Sequence, residues 1–126
     1  MTDALSRLAR LDTCVVSDAL DKLGLTGVAA GVTRLSTEKK IAGQVLTVKL
    51  EAANGRVAER HLCTAAIEAG APGNILVIEH HSRADCAGWG GLLSRAAMVK
   101  GIPGVIVDGL SRDMDVSREL GFRTFT

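Results

Sequence analysis

The stretch Gly104-Val105-Ile106-Val107-Asp108-Gly109-Leu110-Ser111-Arg112-Asp113 decides the fold. A short β-branched apolar run, preceded by Gly101 and Pro103 and followed by an Asp-Gly turn, reads as a buried strand of a parallel sheet. Beyond it Arg112 and Asp113 stand side by side. A guanidinium and a carboxylate past a strand end can divide two tasks, one gripping an anionic substrate and the other holding a divalent cation. Taken alone, the pair reads as an exposed ion pair starting a helix, as most surface charges do nothing specific.

Outward from this stretch the chain alternates between helix and strand patterns. In residues 13–23, Val15, Val16, Ala19, Leu20 and Leu23 fall on one helical face, with Thr13 as N-cap and Gly24 as the stop. Residues 25–40 read as a long connection, and residues 44–50 alternate as a strand. Asn54 is read as the cap of a helix reaching about Ala69, built on Val57, Ala58, Leu62, Ala65 and Ala66. Residues 75–78 form a continuous apolar run, the mark of a strand covered on both faces. A loop is expected over residues 79–91. Leu92, Leu93, Ala96 and Ala97 then open a helix that Gly101 and Pro103 end, residues 113–120 are helical up to Gly121, and residues 122–126 form a last strand.

This alternation implies an α/β fold of β-α-β units, with right-handed crossovers and a largely parallel sheet flanked by helices. Ligands bind such sheets beyond the carboxyl ends of the strands. If the two central strands are neighbours, Gly90-Gly91 at the start of one helix faces Arg112-Asp113 at the start of the next. Free backbone N–H groups at Leu92 and Leu93, with the positive end of the helix dipole, would complement a carboxylate or carbonyl oxygen.

Composition narrows the classes. The chain has 126 residues, enough for a single domain over residues 1–126. Its core is aliphatic, with two Phe, one Trp and no Tyr. Net charge is +1 with no basic aromatic stripe, so nucleic acid is not an expected ligand. Cys14, Cys63 and Cys86 are widely spaced without a C-x-x-C, which argues against a disulfide framework or a structural zinc. Residues 1–10 carry charge in a short helix-like pattern with no signal-peptide core, and no long apolar run crosses a membrane, so a soluble cytoplasmic protein is expected. His80, His81, Asp85 and Cys86 are ligand types, but adjacent histidines in an extended segment point to opposite sides. Lining a pocket is the better role, with His80, His81 or Arg83 meeting a second carboxylate. Trp89 reads as a packing anchor for the glycine turn, and Asp18 and Asp21 as structural or interfacial.

Five blocks now carry a resemblance: Thr13-Cys14-Val15-Val16-Ser17-Asp18-Ala19-Leu20, Ile41-Ala42-Gly43, Pro72-Gly73-Asn74-Ile75-Leu76-Val77-Ile78, Trp89-Gly90-Gly91-Leu92-Leu93 and Val107-Asp108-Gly109-Leu110-Ser111-Arg112-Asp113. In that order they resemble the family of regulator of ribonuclease activity A (RraA) and the 4-hydroxy-4-methyl-2-oxoglutarate aldolases. The resemblance implies an RraA-like fold of swivelling-domain type and a class II, divalent-metal-dependent lyase. Such enzymes act as aldolases and oxaloacetate decarboxylases on short oxo acids through a pyruvate enolate. It further implies Mg²⁺ or Mn²⁺ on Asp113, and a pyruvyl group held by Arg112, by Gly90 and Gly91, and by the backbone N–H groups of Leu92 and Leu93. Trimers, often paired into hexamers, with sites at subunit junctions are implied as well, and no lysine Schiff base is required.

Two departures qualify the resemblance. Active aldolases of the family carry an acid three residues after the metal aspartate, where this chain has Val116, with Asp115 one step earlier. One residue turns a helical side chain by about a hundred degrees, so Asp115 is a poor substitute. This keeps open a non-catalytic regulator of ribonuclease activity that binds a protein partner. The chain also stops where relatives continue. A short variant, a fragment, or one subunit of a two-chain lyase whose second chain supplies the missing C-terminal part are the readings, and an exposed edge strand ending at Thr126 would favour homo-oligomers.

Overall fold

Four strands lie side by side in chain order and all parallel: β1 (Val45–Lys49), β2 (Ile75–Trp89), β3 (Gly104–Ser111) and β4 (Arg123–Phe125). Helices α1 (Asp3–Leu8) and α2 (Thr13–Lys22) precede the sheet, while α3 (Leu62–Ala69), α4 (Gly91–Val99) and α5 (Met114–Leu120) are the three crossovers. The computed structural model describes residues 3–126; Met1 and Thr2 of the expected N-terminal helical pattern lie outside the described residues. The α/β class, the parallel sheet and the flanking helices are as the alternation requires.

Same-handed crossovers between adjacent strands put their helices on one face, and the main core forms there. Val48, Leu76, Ile78, Val105 and Val107 point from the sheet toward Cys63, Ile67, Ala97 and Phe122. The other face is covered unevenly. Ile75 is buried, but Val77 and Ile106 are half-buried and Val45 is exposed. No side chain of α1 or α2 is buried, so the apolar stripe expected to seat α2 stays open at Val15. Leu8, Leu11 and Val16 instead line an apolar cleft with Ile41, Val45 and Ile106. Expected burial of the central strands on both faces therefore holds only in part, because α2 lies ahead of β1 and no crossover presses it on the sheet.

Local chemistry accounts for the other differences. Asp12, not Thr13, caps α2, its carboxylate accepting the Cys14 N–H. The helix expected from Asn54 begins only at Leu62, because Asn54 (φ 48°) and Gly55 (φ 80°) sit in a left-handed turn that a helix cannot contain. The expected loop over residues 79–91 is mostly strand: β2 continues to Trp89, its pairing with β3 interrupted by register shifts after Glu79, Arg83 and Ala87. The edge beyond β4 is not open either. Thr33 and Thr126 exchange backbone hydrogen bonds, and Leu35 N–H donates to Thr124 O, so residues 33–35 cover the strand antiparallel. An unpaired ladder at Thr126 therefore no longer argues for association.

Candidate functional site

The ends of β2 and β3 bring the two motifs together. Trp89 pairs with Ser111, and the Arg112 N–H donates to Trp89 O at 3.0 Å, so Gly90-Gly91 lies beside Arg112-Asp113. Both glycines are there for close approach. A Cβ on Gly90 would stand 3.0 Å from Asp113 Oδ2 and 3.3 Å from Arg112 Cγ and Nε. One on Gly91 would stand 3.0 Å from Val116 Cβ and 3.1 Å from Asp113 Cβ. Trp89 anchors the turn from below. It is 1% exposed, stacks on Phe122 at 5.9 Å, and donates its indole N–H to Ser94 Oγ at 2.9 Å. Ser94 Oγ in turn lies 2.9 Å from Ser117 Oγ, joining α4 to α5 inside the core.

Asp113 occupies the N-cap position of α5 in left-handed backbone (φ 57°, ψ 41°), a region that aspartate enters more readily than most residues but still at a cost. Its side chain does not cap α5. Instead Oδ2 accepts the Gly91 N–H at 3.1 Å and lies 3.6 Å from Arg112 Nε. Oδ1 has no partner among the described residues, and neither do the N–H groups of Leu92 and Leu93 in the first turn of α4. Leu92, Leu93, Arg112 and Asp113 all line a cavity of about 370 Å³.

The far wall of that cavity comes from α3. His61 is the N-cap, with Nδ1 accepting the Thr64 N–H at 3.4 Å, and both side chains line the cavity. The sequence reading missed His61 because it placed position 61 inside a longer helix. Asn54-Gly55 was the available signal, since that dipeptide marks a turn and moves the helix start downstream. In the other direction, His80, His81 and Arg83 do not line this cavity. His80 is buried in the core side of β2, His81 is exposed near Glu79, and Arg83 is held by Asp85 at 2.8 Å. His80 is thus buried and His81 exposed, with His81 in left-handed backbone (φ 52°) and not in the extended form expected.

Arg83 and Asp85 strengthen each other's charge: the Asp85 carboxyl is held below its usual range chiefly by its hydrogen bond from Arg83, and the guanidinium is raised by the same bond. Asp115 is turned away from the site, paired with Arg118 at 2.9 Å, while Val116 faces Gly91 and Asp113.

Asp113 is therefore the one carboxylate lining the cavity, and no cluster of three metal-ligating side chains occurs among the described residues. This donor set does not suit zinc. It fits a hard cation such as Mg²⁺, which keeps most of its waters and binds through one or two carboxylates plus substrate oxygens.

Comparison with known proteins gives the family. The family model described as "RraA-like: Aldolase/RraA" matches residues 13–126, and the chain belongs to that family. It is 28% identical over 125 residues to protein DlpA of Legionella pneumophila, covering 99% of this chain and 20% of that protein. It is 29% identical to a Halalkalibacterium halodurans protein named "Putative 4-hydroxy-4-methyl-2-oxoglutarate aldolase", covering 98% and 55%. Among solved structures it resembles Streptomyces coelicolor RraAS2, described as an unusual member of the RNase ES inhibitor RraA protein family. That match has TM-score 0.87 and 28% identity, and covers 98% of this chain and 63% of that one. The chain thus spans about half the length of the aldolase-named relative and a fifth of DlpA. Among the described residues no helix is long and apolar enough to cross a membrane.

Proposed function

We propose that the cavity between α3, α4 and the end of β3 is the site of a divalent-metal-dependent carbon–carbon lyase. Its substrates are short oxo acids, cleaved by decarboxylation or aldol chemistry through a pyruvate enolate. One observation carries this reading. Leu92 and Leu93 with unpaired N–H groups, Arg112 with its guanidinium and Asp113 with a carboxylate oxygen to spare line one cavity, the donor set that an α-keto acid and a hard cation share.

Each residue has a task that its chemistry suits. Arg112 grips the substrate carboxylate in a planar, two-point hydrogen-bonded contact. The N–H groups of Leu92 and Leu93 donate to the pyruvyl oxygens, where negative charge grows as the carbon–carbon bond breaks, and they do so without reorganising. Gly90 and Gly91 let the backbone come close enough to do this. Asp113 would hold Mg²⁺ or Mn²⁺ through its carboxylate. When bound, the ion supplies Lewis-acid polarisation of the keto group.

Pyruvate release from oxaloacetate, measured with Mg²⁺, with Mn²⁺ and with a chelator, tests the proposal. Metal-dependent release supports it, and rates equal to the uncatalysed background in every arm overturn it. Val116 favours a second reading. It stands where a carboxylate would face Asp113, so a non-catalytic member that regulates a ribonuclease by binding it is the alternative. In either case the exposed apolar side chains Leu8, Leu11 and Val15 favour association with further copies of the chain, with trimers or hexamers as the forms the family resemblance implies.

A further inference from the structure

Between Glu79 and Ala87, β2 advances four residues for each single step of β3, twice in succession, so extra chain is thrown out of the ladder on both sides of Arg83. His81 (φ 52°) and Ser82 (φ 51°) turn the first excursion, and Ser82 Oγ fixes it by donating to Asp108 Oδ1 at 2.6 Å. The result is a pair that lies outside the cavity described above. His80 is 6% exposed, and its Nε2 lies 3.5 Å from the sulfur of Cys86, whose own residue is exposed.

The other ring nitrogen defines what this pair can do. His80 Nδ1 is buried with no hydrogen-bond partner. It is shut in by two glycines, since a Cβ on Gly88 would stand 2.9 Å from it and one on Gly109 3.1 Å. A neutral imidazole carries one N–H. Placing it on Nδ1 would leave an orphaned buried donor, rarer in folded proteins than an unfilled acceptor. The proton therefore belongs on Nε2, where it points at Cys86 Sγ, and sulfur accepts a hydrogen bond best as thiolate.

We propose that Cys86 is a thiol-exchange site for small disulfides, with the Nε2–H of His80 as a fixed donor to its thiolate. In the exchange, Cys86 loses its proton to solvent and its sulfur bonds to one sulfur of the disulfide. The S–S bond breaks, and the departing sulfur leaves with the electron pair and is protonated by water. The product is a mixed disulfide on Cys86 and one free small thiol, so no further oxidant is needed. His80 touches the reacting sulfur and keeps the thiolate both stabilised and accessible.

The chain contains its own controls. Cys14 is exposed at the start of α2, where its backbone N–H donates to the capping Asp12 carboxylate, and its thiol serves as the reference. Cys63 is fully buried, burial pushes its thiol up, and it donates to Gly88 O at 3.6 Å. It should stay silent while the protein is folded.

The test is the reaction of the intact chain with 4,4′-dithiodipyridine, a neutral disulfide, followed by thiopyridone release and assigned to each cysteine by mass spectrometry. Folded protein should label Cys86 about tenfold or more faster than Cys14, and the two rates should converge in urea. A folded-state ratio at or below the urea value overturns the proposal. The variants His80→Leu and His80→Phe should collapse the ratio while Cys63 stays unlabelled. A retained ratio in either folded variant removes His80 from the mechanism and overturns the assignment, and if both variants expose Cys63 the comparison of folded and urea-treated parent decides.

Discussion

The carboxylate of Asp113 accepts the first N–H of α4, at Gly91, across 3.1 Å, although Asp113 itself starts α5. A residue in the cap position thus serves the neighbouring helix and not its own. The bond ties two crossovers together above the sheet and holds the carboxylate against the positive end of α4. It also occupies Oδ2 and leaves Oδ1 without a partner among the described residues. The left-handed backbone that makes this reach possible costs on the order of 1–3 kcal/mol, a strain that persists only where surrounding structure maintains it.

Asp113→Asn should separate charge from architecture. Asparagine also enters left-handed backbone and can accept the Gly91 N–H, but it is a poor ligand for a hard cation. Metal-dependent pyruvate release should fall by about a hundredfold or more, with the thermal midpoint shifted by no more than about 4 °C. Rates equal to the parent at matched Mg²⁺ would remove Asp113 from the site.

Arg112→Lys tests the substrate grip. An ammonium keeps the charge and loses the planar two-point contact, so KM for oxaloacetate should rise about tenfold, with a smaller change in kcat. An unaltered KM would mean that Arg112 faces solvent only.

Gly91→Ala should wedge α4 away from α5, since the added Cβ meets Val116 and Asp113 at 3.0–3.1 Å. A loss of about 1–3 kcal/mol in urea unfolding is expected. Combined with Val116→Ala, which removes the nearby Cγ1, the loss should be smaller than the sum of the single effects by about 0.5 kcal/mol or more. Strict additivity would show that the two helices do not meet at this point.

Val116→Glu restores an acid beside Asp113. Without metal the two carboxylates repel, and with metal they share it, so the thermal midpoint should become Mn²⁺-dependent and lyase activity should rise. In the parent, decarboxylation of oxaloacetate should persist better than aldol cleavage, because carbon dioxide departs without a base removing a hydroxyl proton. A parent inactive in both reactions, with no gain in Val116→Glu, would move the assignment to the regulator reading.

Apolar periodicity is a local property, and that is why the sequence by itself determined the order of helices and strands and the largely parallel sheet. The convergence of Gly90-Gly91 with Arg112-Asp113 followed only on condition that the two strands are neighbours, and the pairing of β2 with β3 met that condition. Only the tertiary structure decided what those residues do to one another. The Asp113 carboxylate chose a backbone N–H on a different helix, His61 reached the cavity from the start of α3, and residues 33–35 closed the edge beside β4. The path of β2 through residues 79–89 was equally hidden. Bulged pairing is held by backbone hydrogen bonds to a partner strand, and such bonds leave no hydrophobic period in the chain that makes them.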